Sequence, residues 1–286
     1  MSYRIVTDTC CDYPQPMYDQ LGLSVVPLSV TYKEETVNSY SEEWLKNMFK
    51  GLRNGEVATT SAANPTDWQI AMEPILRNGE DLLVLAFSSG LSTTYQSAVI
   101  AAEELKEQYP ERTVHVVDTR CASLGQGLFV YYACQKRDAG MPLDELAQWC
   151  ETHKYNLCHW FTVDDLMFLK RGGRISAATA LVGTMLQIKP VLHVDDEGHL
   201  INVSKVRGRK ASIEALAKKM EETELPGEND TVFICHGDCE ADAQRLGELV
   251  KEKCGVKNVF IYYVGAVIGS HSGPGTLALF FMGKNR

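Results

Sequence analysis

Short apolar runs alternate with longer stretches whose apolar positions recur at helical spacing, and this alternation persists along the whole chain. The short runs predict strands over Arg4–Thr7, Leu23–Thr31, Leu82–Phe87, Thr113–Val117, His159–Val163, Val191–Val194, Leu200–Val206, Thr231–His236, Asn258–Tyr263 and Thr276–Phe281. The longer stretches predict helices over Ser41–Lys50, Pro65–Arg77, Thr93–Gln108, Ser123–Ala139, Pro142–Lys154, Ala177–Leu186, Lys210–Thr223 and Ala241–Cys254. Several of these helices follow Ser, Asp or Asn-Pro and stop at Gly, as the capping of unpaired backbone groups favours. Alternating strands and helices imply sheets flanked by helices. The pair Val191–Val194 and Leu200–Val206, around Asp195-Asp196-Glu197-Gly198, reads as a β-hairpin and so predicts a mixed sheet in the second half. The expected class is α/β, as two α/β domains with mixed sheets: an N-terminal domain over residues 1–157 and a C-terminal one over 158–286.

Composition narrows the function classes. With 286 residues and 45% hydrophobic content the chain can bury a sizeable core. A net charge of −9 argues against a general nucleic-acid surface. No apolar run reaches the ~18 residues of a membrane span. The N-terminus enters a strand-like run at once, unlike a secretory signal. The nine cysteines read as reduced thiols, so the expected location is cytoplasmic, with at most a transient contact at a membrane surface.

Candidate chemistry gathers in polar, glycine-rich segments. Gly269-Ser270-His271-Ser272-Gly273-Pro274-Gly275 reads as a loop that holds an imidazole beside a ligand. Ser88 to Ser97 places hydroxyls where a strand meets a helix N-terminus, a setting that suits an anionic head group; N-capping by Ser92 is the plainer reading. Thr59-Thr60-Ser61, before Asn64-Pro65, repeats the arrangement and is also explained by capping. Arg171-Gly172-Gly173-Arg174 offers arginines for a carboxylate, or else a helix C-cap with solvated charges. Lys205 to Lys210 reads as a basic loop suited to a phosphate or an acidic partner.

Asp8 ends the first strand, where it could orient a ligand or bind a metal, or cap the next turn together with Asp12. A haloacid-dehalogenase-type phosphatase needs a second Asp where this chain has Cys10. Cys235-His236-Gly237-Asp238-Cys239 lacks the second knuckle of a zinc site, so no metal is expected.

Taken in order, these segments resemble the DegV family, the bacterial fatty-acid-binding proteins. The resemblance spans the whole length. It rests on Thr7-Asp8-Thr9, Thr60-Ser61, Leu91 to Ser97, Val117-Asp118-Thr119, Ser123-Leu124-Gly125-Gln126-Gly127, Gly172 to Ser176, Arg207 to Lys210, and His271-Ser272-Gly273-Pro274-Gly275. The chain departs from the family pattern at Ala62-Ala63-Asn64, at Thr93, and in lacking an Asp-Gly pair around Tyr32–Thr36.

The resemblance implies a non-catalytic acyl carrier with no cofactor. A long-chain fatty acid lies at the domain interface, its tail in an apolar tunnel. Thr60, Ser92, Arg174 and His271 hold the carboxylate, Arg171 is the alternative to Arg174, and Ser61, Ser272 and Gly273 lie beside them. A separate fatty-acid kinase phosphorylates the carboxylate, with Arg207 and Arg209 facing the phosphate or the kinase. Burying about fifteen methylenes at ~0.8 kcal/mol each offers on the order of 12 kcal/mol, so the tail sets affinity and the polar grip sets orientation. Two other readings stay open: a serine esterase or thioesterase using Ser92 or Ser89 with His271, and a phosphosugar-binding module.

Overall fold

The computed structural model describes residues 2–177 and 187–286. Three sheets organise the chain. The first is parallel, in the order β2 (Ser24–Val26), β1 (Tyr3–Asp8), β6 (Asp81–Ala86), β7 (Val114–Asp118). Its central strand β6 is buried at every position, as a parallel strand covered on both faces must be. Val6, Leu82, Val84 and Ala86 pack against α3 (Pro65–Arg77) and α4 (Thr94–Gln108). Ile5, Leu83 and Leu85 point the other way, toward α5 (Leu124–Asp138) and α6 (Leu143–His153).

The second sheet is mixed, in the order β10 (Leu200–Arg207), β9 (Ile188–Val194), β8 (Leu157–Thr162), β13 (Leu277–Met282), β11 (Thr231–His236), β12 (Asn258–Tyr263). The expected hairpin is its β9–β10 edge. One face packs Ile234, Leu279 and Phe281 against α8 (Arg209–Thr223) and α9 (Glu240–Cys254). The other turns Phe161, Phe233, Ala278 and Phe280 toward α5, which is buried without a break from Leu124 to Val130. Gln126 is the polar residue in that run, and its amide donates to the Thr7 hydroxyl at 3.1 Å.

The expected strand Leu23–Thr31 is two strands. Pro27 has no N–H to give a ladder, so β2 stops at Val26 and the chain leaves the first sheet. It resumes as β3 (Ser29–Tyr32), which joins β4 (Glu35–Val37) and β5 (Ala58–Ser61) in a small antiparallel sheet. The pattern did not predict β4 or β5. It also did not predict α1 (Gln15–Gln20), α7 (Met167–Arg171) or α10 (Ala266–Ser272). The remaining helix, α2 (Glu42–Arg53), starts at the Ser41 cap. The expected helix over Ala177–Leu186 lies outside the described residues but for Ala177.

Candidate functional site

A cavity of about 590 Å³ opens between the inner face of the six-stranded sheet, the β6–α4 loop, β5 and α10. That volume is ample for a small-molecule ligand. Phe161, Ala278 and Phe280 form part of its apolar floor, and Leu91, Val267 and Ile268 add further apolar wall. Among the described residues that line it none is acidic, and Arg174 is the one arginine or lysine.

The polar groups that meet there come from four separate segments. Thr60 stands on β5, which corrects the expectation of a loop before a helix. Ladder pairing holds it: Thr60 lies opposite Val30 on β3. His271 is likewise not in a loop, because α10 runs from Ala266 through Ser272 with Gly269 inside it. Gly269 fits there because the Phe49 ring presses on it. The chain turns only at Gly273, whose φ of 79° lies in the left-handed region and which ends the helix before β13. Nε2 of His271 sits 2.7 Å from the Thr60 hydroxyl. Burial, and next the Arg174 charge, push the imidazole down to about 4, so it is neutral at physiological pH.

Arg174 is half-buried. Its Nε and Nη2 donate to the Leu91 carbonyl at 3.2 and 3.0 Å, and Nη1 donates to the Gly172 carbonyl. These acceptors are neutral, and no carboxylate pairs with the guanidinium among the described residues. Its charge is thus fixed in place without a counter-ion. Gly172 brings the segment close to the imidazole: a Cβ there would stand 2.2 Å from Nδ1 of His271. Ser92 Oγ accepts the Thr94 N–H at 3.2 Å and lies 2.8 Å from Thr94 Oγ1. Thr93 holds the N-cap position of α4 with no side-chain cap bond, so Ser92 stands just before the helix and lines the cavity. Ser272 is 4% exposed, and its hydroxyl faces the cavity without a hydrogen-bond partner.

Other candidates stand apart from this wall. Ser61 is exposed, and Gly273 lies behind the wall against the Phe168 ring. Arg171 is exposed, with its guanidinium 5.2 Å from the centre of that ring. The basic loop is the end of a strand and the start of a helix, with only Gly208 between them. Arg207 is exposed on β10, whereas Arg209 donates to Asp242 at 2.8 Å and lies 3.6 Å from Asp164. Asp8 is a buried cap: it accepts N–H groups of Cys10 at 3.0 Å and Phe87 at 2.8 Å. Among the described residues no group of three or more His, Cys, Asp or Glu is arranged to hold a metal. Ser89 and Ser92 have no hydrogen bond to His271 among the described residues, since Nε2 goes to Thr60.

Ser123, His159 and Cys235 also line the wall, and none of them was expected to meet a ligand. Ser123 adopts φ 55°, ψ −149°, a conformation that costs a non-glycine residue on the order of 1–3 kcal/mol. Its hydroxyl is held by the Asp12 carboxylate and lies 3.3 Å from the Cys235 thiol. His159 accepts the Ala122 N–H at 3.2 Å, and burial drives its ring well below the ordinary range. The Ser-x-Gly spacing of Ser123 and Gly125, straight after a buried strand, was the available signal.

The family model of the DegV family, described as uncharacterised proteins, matches residues 2–284. A DegV domain-containing protein of Clostridium perfringens is 45% identical over 286 residues, covering 99% of this chain and 98% of the relative. A Thermus thermophilus DegV family protein, whose structure is described as fatty-acid binding, aligns with TM-score 0.88 at 33% identity, over 99% of this chain and 100% of that one. A Thermotoga maritima protein, whose structure is described as revealing fatty acid binding function, aligns with TM-score 0.86 at 29% identity, over 99% of both chains.

Proposed function

The chain belongs to the DegV family, and on that premise we propose that it binds one long-chain fatty acid and presents it to a separate fatty-acid kinase. In this reading the tail lies over Phe161, Ala278 and Phe280, and the carboxylate meets Thr60, Ser92, Arg174, His271 and Ser272. One observation carries it: an arginine without a counter-ion stands at the wall of a largely apolar cavity that holds no acid. A carboxylate supplies the missing charge, and charge-assisted hydrogen bonds of that kind are worth about 1.5–3 kcal/mol each. The neutral imidazole and the unpartnered Ser272 hydroxyl add donors that need no charge of their own.

The kinase role rests on chemistry. A free carboxylate has no leaving group, and phosphoryl transfer from a separate kinase supplies one. The exposed Arg207, unpaired among the described residues, suits a phosphate or an acidic partner. The division into residues 1–157 and 158–286 belongs to the same proposal, with the ligand held where the two parts face each other.

The test is organic extraction of protein purified from a bacterial host. A stoichiometric long-chain fatty acid is expected. Its repeated absence, together with no binding of added fatty acid, overturns the reading.

A further inference from the structure

The segment 264–268 separates two cavities: Val264, Val267 and Ile268 line the first, and Gly265 lines a second of about 520 Å³. The walls of the second carry two carboxylates, Asp12 and Glu42, and four tyrosines, Tyr13, Tyr18, Tyr40 and Tyr262, with no lysine or arginine. Glu42 is already paired, since its carboxylate lies 2.5 Å from Lys46 Nζ. Asp12 is not. It is 5% exposed, and neutral donors hold its carboxylate: the Ser123 hydroxyl and the backbone N–H of Gly265. No cationic group pairs with it among the described residues.

A buried carboxylate normally has a counter-ion or a metal. Here it borders a cavity lined by four tyrosines, and aromatic rings attract cations more strongly when the site is desolvated. No lysine or arginine lines the wall among the described residues, so it offers no counter-ion to a fatty acid, a phosphate or a nucleotide. We propose that this second cavity is a binding site for a small organic cation, an alkylammonium or quaternary ammonium group, with Asp12 as its counter-ion and the tyrosines as its walls. Tyr40 accepts the Ala266 N–H at 2.8 Å, so Asp12 and Tyr40 also hold the start of α10. His271 and Ser272 sit at the other end of that helix, so one short element borders both cavities.

The test titrates choline chloride and tetramethylammonium chloride into the full chain, followed by calorimetry and by NMR shifts of the tyrosine rings. Sodium chloride at equal ionic strength and sodium acetate serve as controls. Saturable binding of both cations is expected, with none of acetate. Asp12→Asn keeps the shape of the side chain and should weaken choline binding by roughly tenfold or more. Tyr262→Ala, at a half-buried wall position whose side chain makes no hydrogen bond to α10 among the described residues, should weaken it by several-fold, roughly as one cation–π contact is worth. Circular dichroism establishes that each variant is folded. No response beyond that of sodium chloride overturns the proposal. So does equal binding of acetate, or choline binding that is unchanged in both variants.

Discussion

Gly172→Ala isolates the contact between the arginine segment and the imidazole. Gly172 sits at φ −71°, ψ −9°, which alanine adopts without strain, so the backbone raises no objection. The added Cβ would meet His271 at 2.2 Å from Nδ1, 3.1 Å from Cγ and 3.2 Å from Cε1. Ordinary contact begins at 3.4 Å, so the ring must retreat by roughly 1.2 Å or rotate. Either movement breaks the 2.7 Å contact with Thr60. Overpacking costs about 1–3 kcal/mol and the lost hydrogen bond about 0.5–1.5. A stiffer unfolded chain returns about 0.4–1 kcal/mol, which leaves a melting temperature several degrees lower. If His271 grips the carboxylate, displacing it removes a charge-assisted bond and lowers fatty-acid affinity by about ten- to a hundredfold. Displacement of a fluorescent fatty acid measures the affinity, with the methyl ester titrated in parallel. Gly173→Ala is the control. Its φ of 73° makes alanine strained, yet a Cβ there meets nothing within 4 Å, so it should lose stability and keep affinity. Unchanged affinity in Gly172→Ala, or equal losses in the two variants, refutes the reasoning.

Arg174→Ala should weaken retention of the free acid by about ten- to a hundredfold and leave the methyl ester nearly unaffected, while Arg171→Ala changes neither; equal losses for both ligands would place Arg174 outside the head-group contact. Arg207→Ala should leave bound lipid unchanged and slow acyl-phosphate formation with a cognate kinase, an effect that shrinks at high salt; loss of lipid in this variant contradicts the proposed division of labour. Burial pushes the Asp12 carboxyl up to about 7, against about 3.9 in the unfolded chain, so its contribution to stability is full below the unfolded value and is lost as pH rises through 7. Asp12→Asn removes that loss. It should raise the unfolding free energy more at about pH 8 than at about pH 5, by a difference on the order of 2–3 kcal/mol, and calorimetry showing the reverse order would disprove the sign.

Much of the fold was legible because long elements carry their own period. Thr231–His236, Asn258–Tyr263 and Pro65–Arg77 run where the pattern put them, since each is a full apolar run or a capped amphipathic helix. Short elements carry too few periods. Met167–Arg171 is scarcely more than one turn, and Ala266–Ser272 contains Gly269 and two serines that favour a loop on local grounds. Packing overrides that preference, because Phe49 closes on Gly269 and Tyr40 takes the Ala266 N–H. The cavity residues divide in the same way. Hydroxyls, glycines and arginines announced Thr60, Ser92, Arg174 and His271 by residue type. His159 and Cys235 lie on buried strands, where residue type gives no sign of a cavity.

By itself, then, the sequence determined the class of fold and the hairpin edge and marked a few polar segments as candidates to meet a ligand, because hydrophobic period and residue chemistry are local properties. The tertiary structure alone decided which of them meet. Arg171 and Arg174 are three residues apart with the same side chain, yet one rests on Phe168 at the surface and the other reaches the cavity wall. That choice depends on two local features, the end of α7 and the left-handed turn at Gly173, and on the Leu91 carbonyl more than eighty residues away, a long-range contact that no local pattern encodes.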